Sequence, residues 1–89
     1  MESIAKGQFY RDISRYTNRF LLEEIEKAIV NVENSNELSQ IRNLKKLKRY
    51  KAHYRIKVHS DYRIGIIIRG GTVWFVRFGH RNNFYKEFP

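Results

Sequence analysis

No cysteine occurs among the 89 residues, which excludes a disulfide framework and a thiolate metal site and fits a reducing compartment. A single proline and five scattered glycines leave no low-complexity or linker-like segment. The longest apolar run, Ile64–Ile68, contains Gly65 and is far too short to cross a bilayer. Glu2 stands near the N-terminus with no apolar stretch of signal-peptide type behind it. These absences predict a soluble cytoplasmic protein that does not engage membranes. The length predicts one domain over residues 1–89, with one modest core.

Negative charge is scarce too, but only in one half. Residues 1–40 carry five Lys or Arg against seven Asp or Glu, whereas residues 41–89 carry thirteen against Asp61 and Glu87 alone. The net charge of +9 therefore belongs to the second half, where a polyanion or an acidic protein is the expected partner. His53, His59 and His80 are not spaced as a ligand set, and the basic half has too few carboxylates to complete one. No metal or cofactor is expected. A phosphate-binding loop, a dinucleotide fingerprint and a Ser-His-Asp arrangement are also missing.

What is present is concentrated in residues 53–85. Three runs rich in Ile, Val, Tyr, Phe and Trp, parted by Ser60-Asp61 and Gly70-Gly71, predict three β-strands. In the first, Tyr54, Ile56 and Val58 alternate with Arg55, Lys57 and His59; in the second, Ile64, Ile66 and Ile68 alternate with Arg63, Gly65, Ile67 and Arg69. A two-residue turn would set the apolar residues of the two strands on opposite faces. A bulged three-residue turn that includes Tyr62 pairs His59 with Arg63 and Lys57 with Gly65, and gathers them on one face. Arg55, Lys57 and Arg63 then converge on the other face. The third strand, Thr72–Phe78, is apolar on both sides, as a central strand is, with Trp74 and Phe75 assigned to the core. Phe84 and Phe88 are expected to dock the C-terminal tail.

Before the sheet, Phe9, Ile13, Tyr16 and Phe20 recur at helical spacing, and Leu21, Leu22, Ile25, Ala28, Ile29 and Val32 give a second stripe. Thr17 or Asn18 caps the second helix, which ends at Asn34-Ser35-Asn36. Ser3-Ile4-Ala5 is a candidate edge strand. Leu38 and Ile41 suggest a helical turn, and Leu44 and Leu47 are expected core anchors. Lys45, Lys46, Lys48, Arg49 and Lys51 form a cation run that either tracks phosphates or is simply solvated. The fold class expected is α+β: an N-terminal helical hairpin packed on a twisted, mainly antiparallel sheet of three to four strands.

A metal-free cluster of Arg, Lys and Tyr suits RNA cleavage. The ribose 2′-OH is the nucleophile, so the protein must remove its proton, stabilise a phosphorane and protonate the leaving 5′-oxygen. Guanidinium groups present planar forks to phosphate oxygens and stay charged. A lysine or tyrosine crowded by cations is expected to titrate closer to neutrality.

Arg55-x-Lys57, Tyr62-Arg63 and Gly79-His80-Arg81-x3-Tyr85, with Phe9-x2-Asp12-Ile13, Leu44-x2-Leu47 and Phe88-Pro89, resemble the RelE/ParE superfamily of bacterial toxins. The likeness leans to the RelE branch of ribosome-dependent mRNA endonucleases and runs nearly the length of the chain. It implies the toxin of a type II toxin–antitoxin pair that enters the ribosomal A site and cuts mRNA there. It also implies a cognate antitoxin, and contact with operator DNA only through the toxin–antitoxin complex. By the same resemblance, Lys57 assists the base or stabilises the transition state, and Arg55 binds phosphate. Arg63 clamps the scissile phosphate. Arg81 stabilises the transition state or protonates the leaving group. Tyr85 stacks on a base or takes the 2′-OH proton, and His80 is a candidate acid or RNA contact. Arg55 departs from the lysine usual there and cannot be a general base. The alternatives are a ParE-like, non-enzymatic inhibitor of DNA gyrase and a non-catalytic RNA-binding module.

Overall fold

The computed structural model describes residues 1–89. In chain order it contains β1 (Glu2–Ala5), α1 (Gly7–Ile13), α2 (Arg19–Asn34), a 3₁₀ turn (Leu38–Gln40), β2 (Leu44–Lys46), β3 (His53–Val58), β4 (Tyr62–Arg69), β5 (Thr72–His80) and α3 (Arg81–Glu87). The sheet has five strands in the order β1-β5-β4-β3-β2, parallel only at the β1–β5 pair. Three to four strands were expected. The candidate edge strand at Ser3-Ile4-Ala5 is β1, which lies along the first part of β5, and the additional strand is the three-residue β2, which pairs with β3.

The Asn18 side chain accepts from the Leu21 N–H and starts α2, so the break between the helices falls where a cap residue is available. Phe9, Leu21, Ile25 and Val32 pack on Ile56, Val58, Ile64, Ile66, Val73, Phe75 and Phe78 to form the core. Phe20 does not join this stripe. It follows the cap by two residues, stays 54% exposed, and sits edge-on to His59 with ring centroids 5.0 Å apart. Leu44 and Leu47 are half-buried rather than full core residues, whereas Ile41 is buried.

The β3–β4 hairpin has a three-residue turn, but it is placed at His59-Ser60-Asp61, so that Val58 pairs with Tyr62 and Lys57 with Arg63. The expected register is therefore corrected by two residues. Tyr62 is drawn into the strand because its ring packs on Tyr16 and Phe78, at 5.6 Å from each. His59 and Ser60, at φ of 48° and 46°, make the turn instead. A shift of two preserves the faces, since side-chain direction alternates with period two. Gly70 and Gly71, both at positive φ, close the β4–β5 hairpin as a two-residue loop. A bulge in β5 between the partners of Gly65 and Ile66 keeps both Phe75 and Phe78 on the core face.

Beyond Phe75, β1 no longer covers the edge of β5. Asp12 on α1 fills the gap: its Oδ2 accepts from the Phe78 N–H at 2.9 Å and from Arg77 Nε at 2.8 Å, and Oδ1 accepts from Gln8 at 2.8 Å. Burial alone would raise the Asp12 carboxyl. The hydrogen bonds from Phe78, Arg77 and Gln8 outweigh it and hold the pKa below 3.8. Arg77 also pairs with Glu87 of α3, so a single guanidinium joins both ends of the chain to β5. No helix is long and apolar enough to cross a membrane.

Candidate nucleic-acid interface

The sheet face turned away from α1 and α2 carries the cations. Strand register places Lys57 directly opposite Arg63, and Lys45 directly opposite Arg55. Like charges in cross-strand pairs are destabilising, and two such pairs occur here on adjacent strands. The shifted register produces the first of them, because the expected pairing would have set Lys57 against Gly65.

Arg63 is half-buried and braced. Its Nη1 donates to the carbonyls of Ser60 at 2.7 Å and Tyr62 at 2.9 Å, while Nε is buried with no partner. The turn thus aims the guanidinium. Arg55 Nη1 donates to the Asn43 carbonyl at 2.7 Å, which anchors it to the segment leading into β2. Lys57 is exposed and lines a separate groove with Glu24, Asn43 and His59.

The C-terminal segment, expected as a docked tail, is the helix α3. His80 Nδ1 accepts from the Asn82 N–H at 3.1 Å and closes its first turn, which ties up one of the two ring nitrogens. The Arg81 N–H donates to the Asp61 carbonyl at 2.8 Å, and Arg81 Nε lies 3.7 Å from Asp61 Oδ1. These contacts bring Arg81 to the β3–β4 turn, the end of the sheet that bears Lys57 and Arg63. From there α3 crosses the face, and Phe84 and Phe88 are buried on it. Phe88 lies on Gly65, where a Cβ would come within 2.8 Å of its ring, so only glycine lets the helix sit this low.

Tyr85 is 52% exposed and lines a groove of about 450 Å³ with Lys45, Lys46, Lys48, Arg55 and Tyr50. Arg49 and Lys51 are exposed but do not line it. The residues singled out in the sequence therefore fall into two neighbouring sets: Lys57, Arg63 and Arg81 around the hairpin end, and Arg55, Tyr85 and the lysines in the groove. Tyr50 and Asp61 had no assigned part. Tyr50 could have been noticed as an aromatic inside a cation run; Asp61 gave no signal beyond being a lone acid. His53 lies under the groove, 5.1 Å from the Tyr50 ring and 5.5 Å from Phe88. Burial, and then Arg69, hold its pKa below 6.5, in keeping with a neutral packed ring.

The chain matches the family model described as ParE toxin of type II toxin-antitoxin system, parDE, over residues 8–85. It is 37% identical to Toxin RelE3 of Methanocaldococcus jannaschii over 90 residues, covering 100% of both chains. A solved RelB-RelE antitoxin-toxin complex from Methanococcus jannaschii is similar with a TM-score of 0.80 and 34% identity, over 97% of this chain and 99% of that one. The E. coli DinJ-YafQ complex shares the fold at a TM-score of 0.66 and 17% identity, over 94% and 97% of the two chains.

Proposed function

The chain belongs to the RelE/ParE superfamily of type II toxin–antitoxin toxins, and from that premise we propose that it is a RelE-like endoribonuclease that cuts mRNA in the ribosomal A site. The observation that carries the reading is the pair of opposed cation pairs, Lys57–Arg63 and Lys45–Arg55, on a face that Arg81 and Tyr85 overlook. A polyanion is the ligand that relieves their repulsion.

In the reaction, the ribose 2′-oxygen attacks the adjacent phosphorus, the P–O5′ bond breaks, and a cyclic phosphate and a 5′-hydroxyl result. Arg63, braced on the turn carbonyls, receives the scissile phosphate and offsets the charge that develops on the phosphorane. Lys57, across the strand, stabilises the same charge or assists proton removal. Arg81, at the turn, serves the leaving oxygen or the transition state. Arg55 holds a neighbouring phosphate, and Tyr85 takes a base or the 2′-OH proton. The ribosome supplies substrate alignment, which suits a small protein with few reacting groups.

The relatives solved as antitoxin–toxin complexes support a cognate antitoxin as the protein partner. An acidic antitoxin segment would suit the same basic surface, with operator DNA reached only through that complex. The family model bears the ParE description, which favours gyrase inhibition as the second reading. Primer extension on an mRNA in translating ribosomes, beside the same RNA free in solution, tests the choice. Cuts confined to the ribosome and abolished by Arg81→Ala support the endonuclease. Growth arrest with no cuts, together with loss of gyrase supercoiling, refutes it.

A further inference from the structure

We infer that Tyr50 supplies a second aromatic wall to the groove in which Tyr85 takes a base, making a nucleobase subsite beside the scissile phosphate; the inference rests on the RNA-cleaving reading above. Both rings line the groove of about 450 Å³, within the size range of small-ligand sites. Tyr50 is 42% exposed and Tyr85 52% exposed, so both offer apolar surface to a ligand. Lys45, Lys46, Lys48 and Arg55 share the lining, and no Asp or Glu does. Aromatic surface beside four cationic side chains with no acidic side chain among them is the chemistry that binds single-stranded nucleic acid: bases stack, phosphates pair.

The position of the groove fits a neighbouring nucleotide rather than the reacting one. Arg55 lines it, and Lys57 lies two residues further along β3 opposite Arg63, about 7 Å away at strand rise. That separation is comparable with the step between phosphates of an extended single strand. A chain with one phosphate at Lys57 and Arg63 therefore has its next phosphate near Arg55 and the attached base over the groove. Tyr50 is supported from behind by His53, whose ring rests in turn on Phe88. Arg49, just before it, takes φ of 70°, a conformation unusual for a residue with a side chain, and so directs the loop. Tyr50 is thus held in place without being buried.

The test is a cycle between side chain and base on programmed ribosomes. Single-turnover cleavage is measured for wild type, Tyr50→Ala and Tyr50→Phe, on mRNA in which each nucleotide of the A-site codon is in turn normal or abasic. At one position, wild type should slow by about 5- to 150-fold when the base is removed. Tyr50→Ala should be slowed on normal mRNA, and removing the base at that position should then cost it a smaller factor than it costs wild type, since only the Tyr85 wall is left to lose. Tyr50→Phe should behave as wild type, because stacking needs the ring face and not the hydroxyl. Independent, multiplying losses would overturn the inference, as would unaltered cleavage by Tyr50→Ala. Normal cleavage by Tyr50→Ala with lost affinity for a glutamate-rich peptide would also overturn it, giving the groove to an acidic protein. Failure of the reading beneath it looks different: wild type itself would not cut.

Discussion

Replacing Gly65 by alanine should destabilise the protein and disarm it together. Within a strand, the exchange ordinarily stabilises by roughly 0.5–1 kcal/mol, because glycine loses more freedom on folding. Here the added methyl would stand 2.8 Å from Cγ and Cδ2 of Phe88 and 2.9 Å from Cδ1, where carbon atoms prefer about 3.5–4.0 Å. The ring has little room to retreat. It is 2% exposed and held between Phe84, at 5.4 Å, and His53, at 5.5 Å. Overpacking costs about 1–3 kcal/mol, and a contact this short with a ring that cannot move belongs in the upper half of that range, which leaves a net loss of about 1–2.5 kcal/mol after the propensity gain. In a domain of this length that lowers Tm by about 4–20 °C. Because Phe88 anchors α3, its displacement also moves Tyr85, and ribosomal cleavage should fall by an order of magnitude or more. Calorimetry and primer extension on Gly65→Ala, Phe88→Ala and the double variant check this. The double variant should be no less stable than Phe88→Ala alone, since the clash has lost one partner. A Gly65→Ala protein as stable as wild type, or losses that simply add, would refute the packing argument.

Asp12→Asn should lose about 2–3 kcal/mol in urea unfolding, because it removes a buried charge that accepts from Arg77 and Phe78. The Asp12 carboxyl is held below its ordinary 3.8 in the fold. Its contribution is therefore complete above the unfolded value and fades as pH falls through the lower folded value. The acid limb of the stability curve should flatten in Asp12→Asn and stay steep in wild type. Asn18→Ala removes the cap on the Leu21 N–H and should cost about 1 kcal/mol by the same titration. Arg81→Ala should shift unfolding by less than about 1 kcal/mol, since its pair with Asp61 is exposed and 3.7 Å long, while abolishing cleavage in primer extension.

Parity was the legible part of the sheet. Alternation in Tyr54–Val58 and Ile64–Ile68 separates an apolar from a cationic face, and the period of two keeps that separation under any even slip of register. The actual register follows from the packing of Tyr62 on Tyr16 and Phe78. Those residues are far from the turn in sequence, so local reading had no access to them. The same limit applies to α3. Arg81-Asn-Asn-Phe-Tyr-Lys-Glu87 has two weak helix formers in its first turn, and it is helical because Phe84 and Phe88 bury themselves on β4 and β5. The three-residue β2 lacks enough alternation to register as a strand at all. Phe20 fails for the opposite reason: its spacing from Tyr16 is helical, but the Asn18 cap divides the two residues between different turns of chain.

The correction of register matters most at the site. In the expected pairing, Lys57 faced Gly65 and the cations were merely on one surface; in the structure Lys57 faces Arg63, and Lys45 faces Arg55. A small domain with a modest core has little stability to spare, so two repulsive pairs on one face are an arrangement that folding alone would not favour. The acidic side chains around them are engaged elsewhere: Asp61 is turned to Arg81, Glu87 to Arg77, and Glu24, which shares the groove of Lys57, to Lys27. Elsewhere the chain is locally consistent, with a capped α2, a glycine-closed hairpin and a satisfied buried aspartate. Departures from such consistency collect at functional sites. The unrelieved repulsion is thus the feature of the fold that calls for an external anion, and it lies where the turn aims Arg63 and α3 presents Tyr85.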